Sequence, residues 1–184
     1  MPNIPSVDLN NFLSDDQSLK NNFVKKLGKA YHEIGFVALK GHFLKDSDIK
    51  NIYKYIKAFF NLSDDIKRKY ELEGFSGQRG YTSFGKEHAK GKEHGDLKEF
   101  WHFGQYLDDS EYSQFGYPKN LYVKEIPEFN EIGKTVYKAL EKTAIYVLRA
   151  ISLYLELDED HFDKYVKKGN SILRPIRSEE HTSE

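Results

Sequence analysis

The 184-residue chain contains no cysteine and only one methionine, one tryptophan and five prolines. The lack of cysteine excludes disulfides, thiolate metal sites and cysteine nucleophiles, and it is typical of the cytoplasmic location that we predict. No apolar run approaches the roughly 20 residues of a membrane-spanning helix. The chain also lacks an excess of charge of either sign, because 28 Lys and Arg residues balance 29 Asp and Glu residues, which gives a net charge of −1. We therefore predict neither a nucleic-acid partner nor a membrane partner.

What is present indicates one packed, mostly helical domain, since 39% of the residues are hydrophobic and 15% are aromatic. Apolar residues recur every three or four positions in the segments predicted as long amphipathic helices, which are 16–34, 46–60 and 127–155. Shorter helices are predicted at 63–70 and 159–166, and short strands at 36–39, 97–103 and 171–174. The glycine-rich stretch 74–95 is predicted to be a loop.

Five short segments indicate a family resemblance. Each segment alone is a weak signal, but their order and spacing together are fairly specific. They are IPSVDL at 4–9, GFVALKGH at 35–42, GQRGYTSFG at 77–85, DLKEFWH at 96–102 and GNSILR at 169–174. Together they resemble the isopenicillin N synthase-like family of non-haem iron oxygenases, most of which use 2-oxoglutarate. The resemblance covers residues 1 to about 174, and it corresponds only to that family's N-terminal helical region and the long helix leading into the catalytic barrel.

The resemblance implies an α+β, mostly helical fold: the N-terminal helical region of a double-stranded β-helix (jelly-roll) oxygenase, with most of the barrel missing. We divide the chain accordingly into a non-haem dioxygenase N-terminal region at 1–125, a long helix plus a short helix at 126–168, a truncated first barrel strand at 169–176 and a tail at 177–184. The tail resembles the translation of a common sequencing-library adapter, so we predict that it is not native.

In that family two His and one carboxylate hold Fe(II), and an Arg-x-Ser pair binds 2-oxoglutarate, all on the barrel. We therefore predict that Fe(II), 2-oxoglutarate and a small-molecule substrate bind to the full-length parent, and that this fragment has no catalytic residues, binds no metal and is inactive. The alternative is a free-standing, non-catalytic helical module that binds a partner. The resemblance implies that the long helix packs its apolar stripe on the barrel. Without the barrel we expect this stripe to be partly exposed and to favour self-association; it consists of Val136, Leu140, Val147 and Ile151.

A metal site within the chain itself would depend on its two His-x-Asp pairs. His161 and Asp163 lie on a predicted helix, where residues two apart point to nearly opposite sides, so they cannot chelate one ion. His94 and Asp96 precede a strand, so chelation together with His88 or His102 is geometrically possible. Because this segment has no evident rigid scaffold, we predict a solvated loop instead.

The candidate substrate-pocket residues are Gln78, Arg79, Tyr81 and Phe84, because the resemblance places this stretch beside the mouth of the active site. Arg79 is the candidate for meeting an anionic substrate, and the other three would line the cavity. A turn fixed by Gly80 and packed by Tyr81 is the favoured alternative for each residue taken singly. Trp101, amid aromatic neighbours, is predicted to anchor the core.

Overall fold

The computed structural model describes residues 4–74, 78–86 and 97–178. The chain divides into two compact units, and no helix in the described ranges is long and apolar enough to cross a membrane. The first unit combines Met1–Lys45 with Lys138–Gly169, and the second combines Asp46–Tyr137 with Asn170–Glu184.

The first unit is built on helices and a two-stranded parallel sheet. Its elements are β1 (Ser6–Asp8), α1 (Leu9–Phe12), α2 (Gln17–Glu33), β2 (Ala38–Lys40), the part of α6 (Pro127–Tyr154) from residue 138 onward, and α7 (Asp163–Val166). The Asp8 carboxylate accepts a hydrogen bond from the Asn10 amide at 2.9 Å and so caps α1. Asp16 caps α2 in the same way.

The core of the first unit confirms the predicted amphipathic helix. Phe23 and Leu27 of α2 are buried with Leu9, Phe12 and Ala150 in one cluster. The α2 backbone lies very close to α6, because a Cβ at Gly28 would overlap the Tyr154 ring. Glycine is therefore required at this crossing.

The second unit contains the larger sheet and the helices packed on it. Its elements are α3 (Asp46–Phe60), α4 (Asp64–Lys67), a 3₁₀ turn (Arg68–Tyr70), β3 (Gly80–Thr82), β4 (Lys98–Gly104), α5 (Asp109–Phe115), the first part of α6, β5 (Ile172–Leu173) and β6 (Ile176–Ser178). β4 pairs antiparallel with β3, and it also pairs antiparallel with β5 and β6. β5 and β6 keep one register along β4, and between them the Trp101 amide donates to the Pro175 carbonyl at 3.1 Å.

Aromatic rings fill the core of the second unit. The Trp101 ring centroid lies 4.9 Å from that of Phe59 and 5.1 Å from that of Phe129. Phe103 packs so closely on α6 that a Cβ at Gly133 would overlap its ring. The prediction that Trp101 anchors the core is confirmed.

The structure confirms the α+β, mostly helical fold class and corrects four local predictions. β3 lies inside the predicted loop 74–95, and α5 was not predicted. The strand predicted as buried at 36–39 forms instead at Ala38–Lys40, and Phe36 is 68% exposed.

The fourth correction concerns the apolar stripe of α6. Val136 is buried, so its predicted exposure is wrong, whereas Leu140 is 40% exposed as expected. Val147 and Ile151 are partly buried against the core of the first unit. Arg177 and Ser178 complete β6, and the rest of the predicted tail lies outside the described residues.

Candidate functional site

Arg79 is a fully buried arginine immediately before β3. Its Nη1 donates to the Gln78 carbonyl at 2.7 Å, and its Nη2 donates to Asn170 Oδ1 at 2.9 Å. Asn170 Nδ2 in turn donates to Oε1 of the exposed Gln78 side chain at 3.0 Å. We call Arg79, Gln78, Asn170 and Gly104 the arginine site.

Gly104 provides the space in which the Arg79 guanidinium lies. A Cβ at position 104 would overlap the Cζ and Nε atoms of Arg79. The Gly104 backbone is itself held by Asn120, which accepts from its amide at 2.7 Å and donates to its carbonyl at 3.0 Å. Any larger residue at the end of β4 would therefore displace the guanidinium.

The charge of Arg79 has no counter-ion among the described residues. No described carboxylate forms an ion pair with Arg79, and its Nε has no hydrogen-bond partner there. Burial lowers the pKa of the guanidinium, and nearby phenols oppose this shift only in part. These phenols belong to Tyr137, Tyr112, Tyr117 and Tyr106.

A second buried charged group, which we call the carboxylate cluster, consists of Glu99, Lys67 and Tyr81. Glu99 on β4 is fully buried, and its Oε2 lies 2.8 Å from Lys67 Nζ. The Tyr81 hydroxyl donates to the same oxygen, and Arg177 contacts Oε1. Burial, and then the bond to Glu99, raise the pKa of the Tyr81 phenol. The negative charge of Glu99 is therefore compensated by the positive charges of Lys67 and Arg177.

The structure separates the four candidate pocket residues into two groups. Gln78 and Arg79 belong to the arginine site. Tyr81 lies opposite Trp101 in the β3–β4 register, and Trp101 and Gly104 point to opposite faces of β4 because they are three positions apart. Tyr81 therefore joins the carboxylate cluster, while the half-buried Phe84 ring lies 5.9 Å from the Arg177 guanidinium carbon.

The described residues do not supply a site for the Fe(II) that the family resemblance implies. They contain no group of three His, Asp or Glu side chains placed to hold a metal ion. His102 is buried, and its Nε2 accepts from Arg174 Nε. Asp163 forms an ion pair with Arg149 at 2.6 Å, and His88, His94 and Asp96 lie outside the described ranges.

Sequence reasoning missed Asn170, Gly104, Glu99 and Lys67. One signal was available, because Glu99 lies two and four positions before Trp101 and Phe103 and therefore shares the apolar face of the predicted strand with them. A charged residue on such a face needs a buried partner. No local signal pointed to Asn170, which is 91 positions from Arg79.

Comparisons with known proteins agree with this architecture. The family described as "non-haem dioxygenase in morphine synthesis N-terminal" matches residues 4–125. A 1-aminocyclopropane-1-carboxylate oxidase of Dictyostelium mucoroides is 29% identical over 88% of this chain and 45% of its own length. A leucoanthocyanidin dioxygenase of Malus domestica is 30% identical over 96% of this chain and 47% of its own length.

Solved structures of related proteins show the same fold. A 2OG-Fe(II) oxygenase family protein of Caulobacter crescentus has a TM-score of 0.81 and 34% identity, covering 96% of this chain and 56% of that one. A full-length Neurospora crassa protein, solved in complex with alpha-KG, shares the fold with a TM-score of 0.76. The chain spans about half the length of the curated relatives that it matches. It belongs to the 2OG-Fe(II) oxygenase family, with the family's non-haem dioxygenase N-terminal region at residues 4–125.

Proposed function

We propose that this chain is the N-terminal, substrate-side part of an Fe(II)- and 2-oxoglutarate-dependent oxygenase. The whole enzyme would oxidise a small molecule while 2-oxoglutarate is decarboxylated to succinate and carbon dioxide. One oxygen atom of dioxygen would enter succinate and the other would oxidise the substrate. The observation that carries the proposal is the family match over residues 4–125, together with a described donor set that cannot hold the iron.

Because that donor set cannot hold the iron, we assign iron binding and substrate binding to different parts of the enzyme. Iron and 2-oxoglutarate would bind to residues outside the described ranges, whereas this chain would supply side chains that contact the substrate. The arginine site is the part best suited to this role, because Arg79 lies buried with donor capacity unused. Tyr81 and Phe84 remain predicted lining residues, and their contacts with the carboxylate cluster and Arg177 favour a structural role.

A chimera tests the proposed function directly. Residues 4–174 of this chain would replace the matching region of the Caulobacter crescentus protein, whose fold they share. We expect the folded chimera, loaded with Fe(II), to convert 2-oxoglutarate to succinate, and the same chimera stripped with a chelator to form none. A folded, iron-loaded chimera without turnover would contradict the proposal.

The fragment alone should form no succinate. The 184-residue chain would be incubated with Fe(II), ascorbate and 2-oxoglutarate, and succinate compared with a protein-free blank. Succinate above the blank would show that the chain carries its own iron site. The cytoplasmic location stays a prediction, which cell fractionation with the whole protein would check.

Self-association of the fragment is the remaining proposal about partners. Leu140, Leu155 and Leu157 are exposed apolar residues at the surface of the first unit. Sedimentation of the chain over a range of concentrations should therefore show reversible association. A monomer at all concentrations, with sharp unfolding, would contradict it.

A further inference from the structure

We propose that the arginine site binds an oxyanion, a carboxylate or phosphate group, on the edge of the Arg79 guanidinium formed by Nε and Nη2. That this anion is part of the substrate rests on the function proposed above. Binding of the anion to the chain requires neither iron nor 2-oxoglutarate. The inference therefore names a substrate class and can be tested on the chain alone.

The first argument is the missing counter-charge. A fully buried cation is costly unless an opposite charge accompanies it. The two acceptors that Arg79 has, the Gln78 carbonyl and Asn170 Oδ1, are neutral amide oxygens. Burial raises the pKa of the neighbouring Tyr106 phenol, so that ring is neutral as well. The described surroundings leave the site short of one negative charge.

The second argument is the geometry of the unused donor. Nε and Nη2 lie side by side on one edge of a guanidinium, and a carboxylate or phosphate accepts two parallel hydrogen bonds from such an edge. Nη2 already donates to Asn170 Oδ1, whereas Nε has no partner in the described residues. An oxyanion that replaced Asn170 Oδ1 would satisfy both donors and neutralise the charge.

The third argument is the connection to the surface. Asn170 is bonded to Arg79 on one side and to the exposed Gln78 side chain on the other. Gln78 and Asn170 thus form a polar chain from solvent to the buried guanidinium. Movement of two uncharged amides opens the edge without breaking an ion pair.

A structural arginine in the same chain shows the contrast. Arg149 donates from Nη2 to Asp163 at 2.6 Å and from Nε at 3.3 Å, so the Asp163 carboxylate occupies the edge that is incomplete in Arg79. The Arg149–Asp163 pair is the arrangement that we expect Arg79 to form with an external carboxylate. This pair also provides an internal control, because its edge is already filled.

The direct test follows the Nε–Hε signals of arginine by ¹⁵N NMR while sodium acetate or sodium phosphate is added at constant ionic strength. We expect a saturable shift of the Arg79 signal, identified by its loss in Arg79→Lys, and no saturable shift of the Arg149 signal. A response to acetate alone assigns a carboxylate, and a response to phosphate alone assigns a phosphate. No saturable shift, or an equal shift with sodium chloride, would overturn the proposal.

The Asn170→Asp variant supplies the missing charge from within the chain. Its carboxylate would take the place of Asn170 Oδ1, so we expect the unfolding temperature in chloride buffer to rise by about 3 °C and the acetate response to disappear. Asn22→Asp makes the same charge change at an exposed position of the first unit and should leave the acetate response intact. An Asn170→Asp protein that binds acetate as tightly as the unaltered chain would overturn the proposal.

The two proposals fail separately. An active chimera combined with no anion binding would reject the oxyanion site and leave the oxygenase assignment standing. Saturable anion binding combined with a folded, inactive chimera would do the reverse. Circular dichroism of each variant keeps a loss of folding distinct from a loss of binding.

Discussion

The arginine site and the carboxylate cluster are two buried charged groups in the same unit, and they differ in whether a group of opposite charge lies beside the buried charge. Glu99 is fully buried beside Lys67 and also accepts from the Tyr81 hydroxyl. Arg79 is equally buried, but its acceptors are the oxygens of two amides. One charge is neutralised within the fold, and the other is only solvated by it.

This difference separates a structural role from a binding role. The carboxylate cluster joins β3, β4 and α4, because Tyr81, Glu99 and Lys67 come from these three elements. Its members depend on one another, since removing one leaves a buried charge or an unused donor. In the arginine site, by contrast, the positive charge of Arg79 has no compensating charge in the described fold. Such an arrangement is expected where a protein has given up stability for recognition.

The largest effect is expected from Lys67→Met, which removes the buried cation that pairs with Glu99. Because both side chains are almost fully buried, we expect the free energy of unfolding to fall by about 3 kcal/mol, the lower part of the range for broken buried pairs, since Arg177 still contacts Glu99. Urea unfolding followed by tryptophan fluorescence measures this, with Trp101 as the probe.

The matched control is the double variant Lys67→Met with Glu99→Gln. With the carboxylate neutralised, the loss caused by Lys67→Met should shrink by at least about 1.5 kcal/mol. Equal losses in the two backgrounds would show that Lys67 acts through packing of its methylene chain, and the contrast between the two sites would then fail.

The next effect concerns Tyr81→Phe, which leaves Glu99 without its hydroxyl donor. We expect a loss of about 1.5 kcal/mol at neutral pH, typical of a hydrogen bond to a buried charged group. Burial and Glu99 raise the pKa of the Tyr81 phenol, so its contribution is complete below pH about 10, where unfolded tyrosine is also protonated, and is lost as the pH rises above that value.

The measurement is therefore the unfolding free energy of both proteins from about pH 8 to 11, which spans the ordinary tyrosine pKa. The unaltered chain should lose stability above pH about 10 more steeply than Tyr81→Phe, because the variant lacks this titrating group. Parallel curves would show that the Tyr81 phenol titrates alike in the folded and unfolded chain, contrary to its burial.

The sequence predicts the regular parts of the fold well because their causes are local. Phe23 and Leu27 at helical spacing indicate α2, and Gly35, whose φ is +81°, lies where that helix was predicted to end. Proline at the first position of α6 marks its start. These signals lie within a few residues of the structure that they determine.

Elements with weaker signals were missed for physical reasons. β3 has three residues in a glycine-rich stretch, and it is held by pairing with β4 rather than by its own pattern. α5 carries a usable signal, the capping box of Asp108 and Glu111, but a capping box alone does not show how far a helix runs. Neither element shows the apolar repeat on which the predictions relied.

The candidate site was only half predictable. Arg79 stood out by its residue type and by the family resemblance, but its lack of a counter-ion depends on contacts across the fold. Asn170 reaches it from 91 positions away, and Gly104 offers space that no sequence pattern reports. Tyr81 lies close to Arg79 in sequence, but the structure separates them: Tyr81 pairs with Trp101 in β3, whereas Arg79 precedes β3 and its guanidinium lies against Gly104.

A smaller effect is expected from Gly104→Ala, which tests whether the guanidinium really fills the space at that position. The new methyl group would overlap Arg79, so we expect a loss of about 1 kcal/mol in the unaltered background, at the lower end of the range for overpacking. In an Arg79→Ala background the same change should cost less than about 0.5 kcal/mol, because the space is then empty. A double-mutant cycle by urea unfolding gives the coupling, and additive losses would show that Arg79 lies elsewhere.

The smallest effect is expected from Arg79→Met, and it makes the sharpest contrast with Lys67→Met. Two amide oxygens lose a donor, but a buried and uncompensated cation is removed at the same time. These terms nearly cancel, so the unfolding free energy in chloride buffer should change by less than about 1 kcal/mol. In sodium acetate of equal ionic strength the unaltered chain should gain stability and Arg79→Met should not. A loss of about 3 kcal/mol in chloride buffer would instead make Arg79 a structural group like Lys67, and the two sites would no longer differ in kind.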